Sequence, residues 1–257
     1  IGRLHGKISI ITGAASGIGF ACAQRFLREG SKILMVDSNR SLLETAHKEL
    51  NDQYTDQVKY HCGNVADREC ARDVVDMPEN HFGSESSVLV NAAGITRPNS
   101  ILNTSENELN SVLNVNFNGL FFFCQAFSQK LVKNKQKAKA ASLNASIVNI
   151  SSMAGKLGMF DNANYAASKA AVIGFTKSSC IELGKHGIRT NVIQPGFIQT
   201  PMIESMTPEY KNAVLKSVPL RRLGRSDEIA NVCLFLASDE SSYVNGACFE
   251  VSGGMGA

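Results

Sequence analysis

With 257 residues the chain is long for an average domain yet inside the range that one doubly wound α/β unit fills, which argues against two independent domains. Hydrophobic residues make up 44% and charged residues 19%, so intrinsic disorder is excluded and a large core can be buried. Lys plus Arg 26 against Asp plus Glu 23 leaves a formal charge of +3, too small an imbalance to predict nucleic-acid or membrane-surface binding. The seven cysteines include no CxxC pair and no nearby His at metal spacing, so neither a disulfide framework nor a zinc site is signalled and a reducing compartment is expected. The longest apolar run, Gly119 to Cys124, is far too short to span a bilayer. Because the first residue is Ile1 rather than Met, an N-terminal presequence stays an open expectation.

Short β-branched runs alternate with helical stretches, the pattern that gives parallel strands joined by crossover helices. Strands are expected at Lys7 to Thr12, Lys32 to Val36, Val58 to His61, Val88 to Asn91, Ile147 to Ser151, Arg189 to Ile193 and Cys248 to Val251. The intervening helices carry start signals: Ser38 before the stripe Leu42, Leu43, Ala46 and Leu50, Asp67 before Cys70, Val74 and Val75, and a capping box from Ser105 to Glu108. Right-handed crossovers then impose a single doubly wound domain with a seven-stranded parallel sheet and helices on both faces. One biased segment, Lys130 to Ala140 with Lys130, Lys133, Lys135, Lys137 and Lys139, reads as a solvated helix end. Its competing reading, a nucleic-acid patch, has no recognition motif beside it.

The first strand runs into Thr12-Gly13-Ala14-Ala15-Ser16-Gly17-Ile18-Gly19, followed by a helical pattern through Phe20, Ala23 and Leu27. Glycines there let the backbone turn tightly and approach a pyrophosphate, whose charge meets the free N–H groups and positive dipole end of the helix. The spacing is GxxxGxG, a departure from the GxGxxG form, and a bare tight turn is its other reading. Asp37 tips the balance, because it ends the second strand eighteen residues beyond Gly19, where a carboxylate takes the adenosine ribose hydroxyls. That carboxylate repels a 2′-phosphate and Ser16 and Ser38 carry no charge to offset it, so NAD is expected over NADP, with Arg40 as the reservation. Asn64 and Val65 follow the third strand and Asn91-Ala92-Ala93-Gly94 the fourth, both at carboxyl ends where ligands of open sheets collect. As alternatives, Asn64 only shapes its turn and Asn91 only ties neighbouring strands.

Tyr165 and Lys169 are four apart in a stretch of small helix formers, which puts them on one helical face about 6 Å apart along the axis. An ammonium near a phenol favours the phenolate, so Lys169 is expected to lower the Tyr165 pKa from about 10 toward the working range of a general acid/base. Ser151 and Ser152 end the fifth strand just upstream, where a hydroxyl can hydrogen-bond the carbonyl that Tyr165 protonates; strand capping is the other reading for either.

These residues, in this order and over essentially the whole chain, resemble the classical short-chain dehydrogenase/reductase family, whose fold is a Rossmann-type domain. The resemblance rests on Thr12 to Gly19, Asn91-Ala92-Ala93-Gly94, Asn116 in Asn114-Val115-Asn116-Phe117-Asn118-Gly119, Ser152, Tyr165 with Lys169, and Pro195-Gly196. It implies Tyr165 as proton donor or acceptor, Lys169 on the nicotinamide ribose, Ser152 orienting the substrate oxygen and Asn116 fixing a relay water. Ser152 is preferred to Ser151 because thirteen residues separate it from Tyr165. The Pro195-Gly196 turn, with Ile198 and Thr200, is expected against the cofactor. Within the family the chain is most similar to the 3-oxoacyl-acyl-carrier-protein reductases and the 17β-hydroxysteroid dehydrogenase type 8 branch, on stretches such as Asn149 to Lys156, Asn164 to Ala170, Glu182 to Arg189 and Gln194 to Met202. That implies fatty-acid or steroid metabolism in the mitochondrial matrix, with the cytoplasm as alternative. Asn64 departs from the aspartate usual at that position.

Pro201 to Leu220 has the length and position of a substrate lid, with an apolar side of Met202, Ile203, Met206 and Val214. With Met153, Leu157 and Met159 it favours a lipid-like substrate, without choosing between thioester and steroid. Phe117, Phe121, Phe122, Phe123 and Phe127, and the helix from Tyr165 through Phe175, are apolar on more than one stripe, so each helix is expected to pack on the sheet and on a partner chain. Family resemblance implies a homotetramer, with a mixed assembly with a related reductase as alternative. A catalytically silent dinucleotide-binding subunit and an NADPH-linked 3-oxoacyl reductase remain the competing functions.

Overall fold

Residues Ile8–Thr12 read Ile-Ser-Ile-Ile-Thr and are buried at every position, as a parallel strand covered on both faces requires. The computed structural model describes residues 2–138, 144–204 and 208–257. Its strands are β1 (Ile8–Thr12), β2 (Lys32–Asp37), β3 (Val58–Cys62), β4 (Val88–Asn91), β5 (Ala145–Ile150), β6 (Ile188–Pro195), β7 (Ile198–Gln199), β8 (Gly224–Arg225) and β9 (Cys248–Val251). Its helices are α1 (Gly17–Arg28), α2 (Arg40–Asn51), α3 (Arg68–Phe82), α4 (Glu106–Leu113), α5 (Leu120–Ala138), α6 (Ala154–Leu157), α7 (Ala163–Gly184), α8 (Pro201–Glu204), α9 (Pro208–Ser217) and α10 (Ser226–Ala237). Seven strands form one parallel sheet in the order β3-β2-β1-β4-β5-β6-β9. The order reverses between β1 and β4, and a ligand crevice opens beyond the carboxyl ends of the strands at such a switch point.

Successive strand residues point to opposite faces, so each strand feeds two cores. On one face Ile11, Met35, Val90 and Ile193 pack with Phe26 of α1, Leu43 of α2 and Leu234 of α10. On the other, Ile10, Leu34, Leu89 and Ile147 pack with Val74 of α3, Phe123 and Phe127 of α5, and Val172 of α7. Among the described residues no helix is long and apolar enough to cross a membrane, and all seven cysteines are free.

The helix starts follow the expected chemistry with one shift. Asp67 accepts the N–H of Glu69, and Ser105 and Glu108 close a reciprocal capping box. The cap of α2 is Asn39 rather than Ser38: its Oδ1 accepts the Leu42 N–H at 3.2 Å, while Asp37 takes the Asn39 N–H and Ser38 is left to the crevice wall. A π-helical turn, Asn114–Gly119, separates α4 from α5 and brings Gly119 so close to Val65 that a Cβ there would lie 2.8 Å from the Val65 carbonyl oxygen. The short β7–β8 pair was not anticipated, since its two halves lie over twenty residues apart. In the lysine-rich segment Lys133 is exposed, as a solvated helix end requires, whereas Lys130 is largely covered and pairs with Asp76 and Glu79 of α3, and Lys135 donates to the His186 carbonyl; Lys139 lies outside the described residues.

Candidate active site

One cavity of about 890 Å³ opens at the carboxyl ends of the strands and is walled by segments from nearly the whole chain. At its floor the turn after β1 meets the loop after β4. Gly13 holds φ +66, and a Cβ on it would come within 2.7 Å of the Ala93 Cα; a Cβ on Gly19 would lie 2.2 Å from the Gly13 carbonyl oxygen. Only hydrogen fits at either position, and what the glycines keep open is the N-terminus of α1. No acidic residue stands in its first turn, and Ser16 makes no side-chain cap, so its N–H groups and dipole face the crevice unopposed. The Asp37 carboxylate is held in place from both sides, Oδ2 by the Ala15 N–H at 3.1 Å and Oδ1 by the Asn39 N–H at 3.0 Å. Arg40 faces Glu44 at 3.6 Å, on the exposed start of α2. A cradle shaped by glycine, a helix N-terminus and a fixed carboxylate fits the pyrophosphate and ribose of a dinucleotide.

At the other end, α7 carries Tyr165 and Lys169 into the wall. Its first turn is pinned by Asn164, whose Oδ1 accepts the Tyr165 N–H and whose Nδ2 donates to the Arg97 carbonyl. Lys169 is buried with its Nζ donating to the Ile150 carbonyl at 2.9 Å and standing 5.7 Å from the centre of the Tyr165 ring. Burial pulls the ammonium down to about 8. Burial also pushes the Tyr165 phenol above its ordinary value, opposed by a hydrogen bond with the Ser152 hydroxyl. The depression expected from Lys169 is not seen: desolvation raises the phenol, and the Ser152 hydrogen bond is what opposes it. Both serines line the cavity, but Ser151 Oγ donates to the Lys169 carbonyl at 2.7 Å, whereas the Ser152 hydroxyl bonds the phenol.

The cavity wall contains Gly13, Ser16, Gly17, Ile18, Gly19, Asp37, Ser38, Asn64, Val65, Ala92, Ala93, Gly94, Ser152, Met153, Met159, Tyr165, Lys169, Pro195, Gly196, Ile198, Thr200 and Met202. Asn91 and Asn116 stand behind it. Asn91 is buried with its Nδ2 donating to Asn149 Oδ1 at 2.9 Å, which ties β4 to β5, while its Oδ1 is buried without a partner among the described residues. Asn116 accepts the Ile95 N–H and gives both amide protons away, to the Ile95 carbonyl and Ser168 Oγ, fixing the loop that carries Gly94. Asn64 Oδ1 takes the Ala66 N–H, the turn-shaping alternative. Val214 is buried outside the cavity wall, and Met206 lies outside the described residues. The structure adds Pro98, Phe160, Asn162, Phe197 and Met255 to the wall. Phe160 was legible only as an apolar neighbour of Met159; Met255 carries no local signal, since a C-terminal turn brings it there.

A dinucleotide cradle leading to a hydroxyl, a phenol and an ammonium in one crevice defines an α/β oxidoreductase that interconverts hydroxyl and carbonyl groups. The family model described as "Enoyl-(Acyl carrier protein) reductase" matches residues 13–256. The 3-oxoacyl-acyl-carrier-protein reductase of Thermotoga maritima is 41% identical over 98% of this chain and 99% of its own, and the (3R)-3-hydroxyacyl-CoA dehydrogenase of Rattus norvegicus is 37% identical over 98% and 97%. A short-chain type dehydrogenase/reductase from Mycobacterium marinum superposes with a TM-score of 0.91 at 28% identity, covering 98% of this chain and 96% of that one. The chain belongs to the classical short-chain dehydrogenase/reductase family, close to its 3-oxoacyl-acyl-carrier-protein reductases. Its cofactor is accordingly a nicotinamide dinucleotide.

Proposed function

We propose that this enzyme interconverts 3-oxoacyl and 3-hydroxyacyl thioesters with NAD(H), using Tyr165 as the general acid/base. The observation that carries this is the single crevice in which Ser152, Tyr165 and Lys169 face an apolar mouth of Met153, Met159 and Met202; the named activities of the Thermotoga and rat relatives support the thioester. When bound, the nicotinamide supplies the hydride chemistry. Ser152 and Tyr165 hold the substrate oxygen between two hydroxyls, and Tyr165 gives it a proton in the direction of reduction. The raised phenol pKa keeps that proton in place at neutral pH. Lys169 would hold the nicotinamide ribose, and its charge then favours the phenolate in the reverse direction. Tyr165→Phe should lower kcat by a factor of about a hundred or more while the NAD dissociation constant stays within about twofold. A variant retaining a few per cent of kcat at its optimum pH removes Tyr165 from the mechanism. A hydroxysteroid is the second reading, on the same apolar wall; rates with acetoacetyl-CoA and with estradiol separate the two.

NAD is favoured because Asp37 is fixed by two N–H donors and Arg40, the basic residue nearest to it in the chain, faces Glu44. Ribose hydrogen bonds to a carboxylate are worth about 1.5–3 kcal/mol each, so kcat/KM should favour NAD over NADP by roughly a hundredfold. Asp37→Ala should erase most of that preference and adding Ser38→Arg should reverse it. Equal use of both cofactors by the wild type overturns the assignment. A homotetramer is supported by Ala167, Ala170, Gly174 and Ile181, small or apolar residues exposed on α7, which buries Val172 in the core; a monomeric mass by light scattering at micromolar concentration counts against it. The mitochondrial matrix is the proposed compartment, with the cytoplasm as alternative, and imaging of the tagged full-length protein distinguishes them.

A further inference from the structure

Besides Thr96, Asp161 and Asn162, the cavity wall carries the apolar side chains of Leu157, Met159, Phe160 and Met202. Phe160 is 87% exposed and Leu157 51% exposed, although both line the cavity. Within residues 157–161 only Asp161 is charged. The loop that presents Phe160 is restrained: the Asn99 N–H donates to the Asp161 carbonyl at 2.7 Å, and Thr96 Oγ1 donates to Asn162 Oδ1 at 2.6 Å. Asp161 itself sits at φ 53, a left-handed conformation that a non-glycine residue keeps only when its surroundings impose it. Behind the rim, Gly256 packs so closely on Leu157 that a Cβ there would lie 2.7 Å from Leu157 Cδ1, which backs that side chain against the C-terminal turn. A held loop with local strain thus projects a bare phenyl ring over the mouth of the reaction cavity.

Resting on the thioester reading above, we propose that Phe160, with Leu157, Met159 and Met202, forms a sleeve for the acyl chain beyond the reacting carbons and makes the enzyme selective for medium and long chains. The occupant is the substrate's own chain, because the sleeve is continuous with the cavity that holds Ser152 and Tyr165. Each methylene removed from water contributes up to about fourfold, so several partly covered methylenes should raise kcat/KM by roughly ten- to a hundredfold between the four- and twelve-carbon substrates.

The experiment compares wild type with Phe160→Ala on 3-oxobutanoyl-, 3-oxooctanoyl- and 3-oxododecanoyl-CoA. Calorimetric titration with butanoyl-CoA and dodecanoyl-CoA, which lack the reacting ketone, runs alongside. The variant should lose about tenfold in kcat/KM on the twelve-carbon substrate, mainly through KM, bind dodecanoyl-CoA correspondingly more weakly, and stay within twofold of wild type on the four-carbon substrate. Its melting temperature should not move, since the ring is exposed. Equal losses on short and long chains would show that Phe160 supports the loop alone, and no loss on the long chain would show that the sleeve is unused; either overturns the proposal while leaving the thioester activity standing. Wild-type inactivity on every thioester overturns the substrate reading and the sleeve with it.

Discussion

Replacing Lys169 by Met should stabilise the cofactor-free protein while destroying its activity. Lys169 is 4% exposed and, among the described residues, has no carboxylate partner and donates to the Ile150 carbonyl alone. Burial lowers its pKa from 10.5 to about 8, which at neutral pH amounts to roughly 3 kcal/mol of folding free energy withheld by the charged form. Removing the ammonium leaves the Ile150 carbonyl without that donor, a loss of about 1–2 kcal/mol. The balance favours the variant by about 1–2 kcal/mol at pH 7, or a few degrees in Tm for a chain of this length. The direction with pH follows from proton counting. Between pH 8 and 10.5 the unfolded lysine holds a proton that the folded one has released, so wild-type stability rises with pH across that window. The penalty is full below it and absent above. Urea unfolding of cofactor-free wild type and Lys169→Met at pH 7 and 9.5 tests this: the variant's advantage should shrink by at least about 1 kcal/mol at the higher pH. A variant less stable than wild type at pH 7, or a gap independent of pH, refutes the reasoning. In turnover the same variant should lose both rate and NAD affinity, and a change in only one would show that Lys169 does not serve both.

Gly13→Ala must place a methyl 2.7 Å from the Ala93 backbone at φ +66, so it should lower stability by more than the ~1–2 kcal/mol of left-handed strain and weaken NAD binding by an order of magnitude, read by thermal melts and calorimetry. Unchanged cofactor affinity would mean that the two loops can part freely. Asn91→Ala leaves the buried Asn149 Oδ1 with only the weak thiol donor of Cys124 among the described residues and should cost about 1–3 kcal/mol in urea unfolding, with NAD affinity affected far less. A large loss of affinity at unchanged stability would return Asn91 to the cofactor site.

Those variants mark the line between what is legible in the chain and what is not. Strand existence is legible because a parallel strand buried on both faces must be a short β-branched run, as in Ile8–Thr12 and Ala145–Ile150. The glycine turn and Asp37 are legible because a tight strand-to-helix turn demands glycine and the acid ends the next strand, and Tyr165 with Lys169 because one helical turn spans them. These are local rules, and local rules survive without coordinates. Tertiary structure alone decided the rest. The side-chain partners of Asn91 and Asn116, Asn149 and the loop at Ile95, could not be read from the chain. The shift of the Tyr165 phenol depends on how much water the fold removes, a quantity no spacing records, and desolvation is its largest cause. Phe160 and Met255 lie far apart in the chain and become walls of one cavity only after the loop after β5 and the turn after β9 close on it. The residue types that do the chemistry are set by short-range geometry, whereas the ionisation and reach of the site are set by what packs around them.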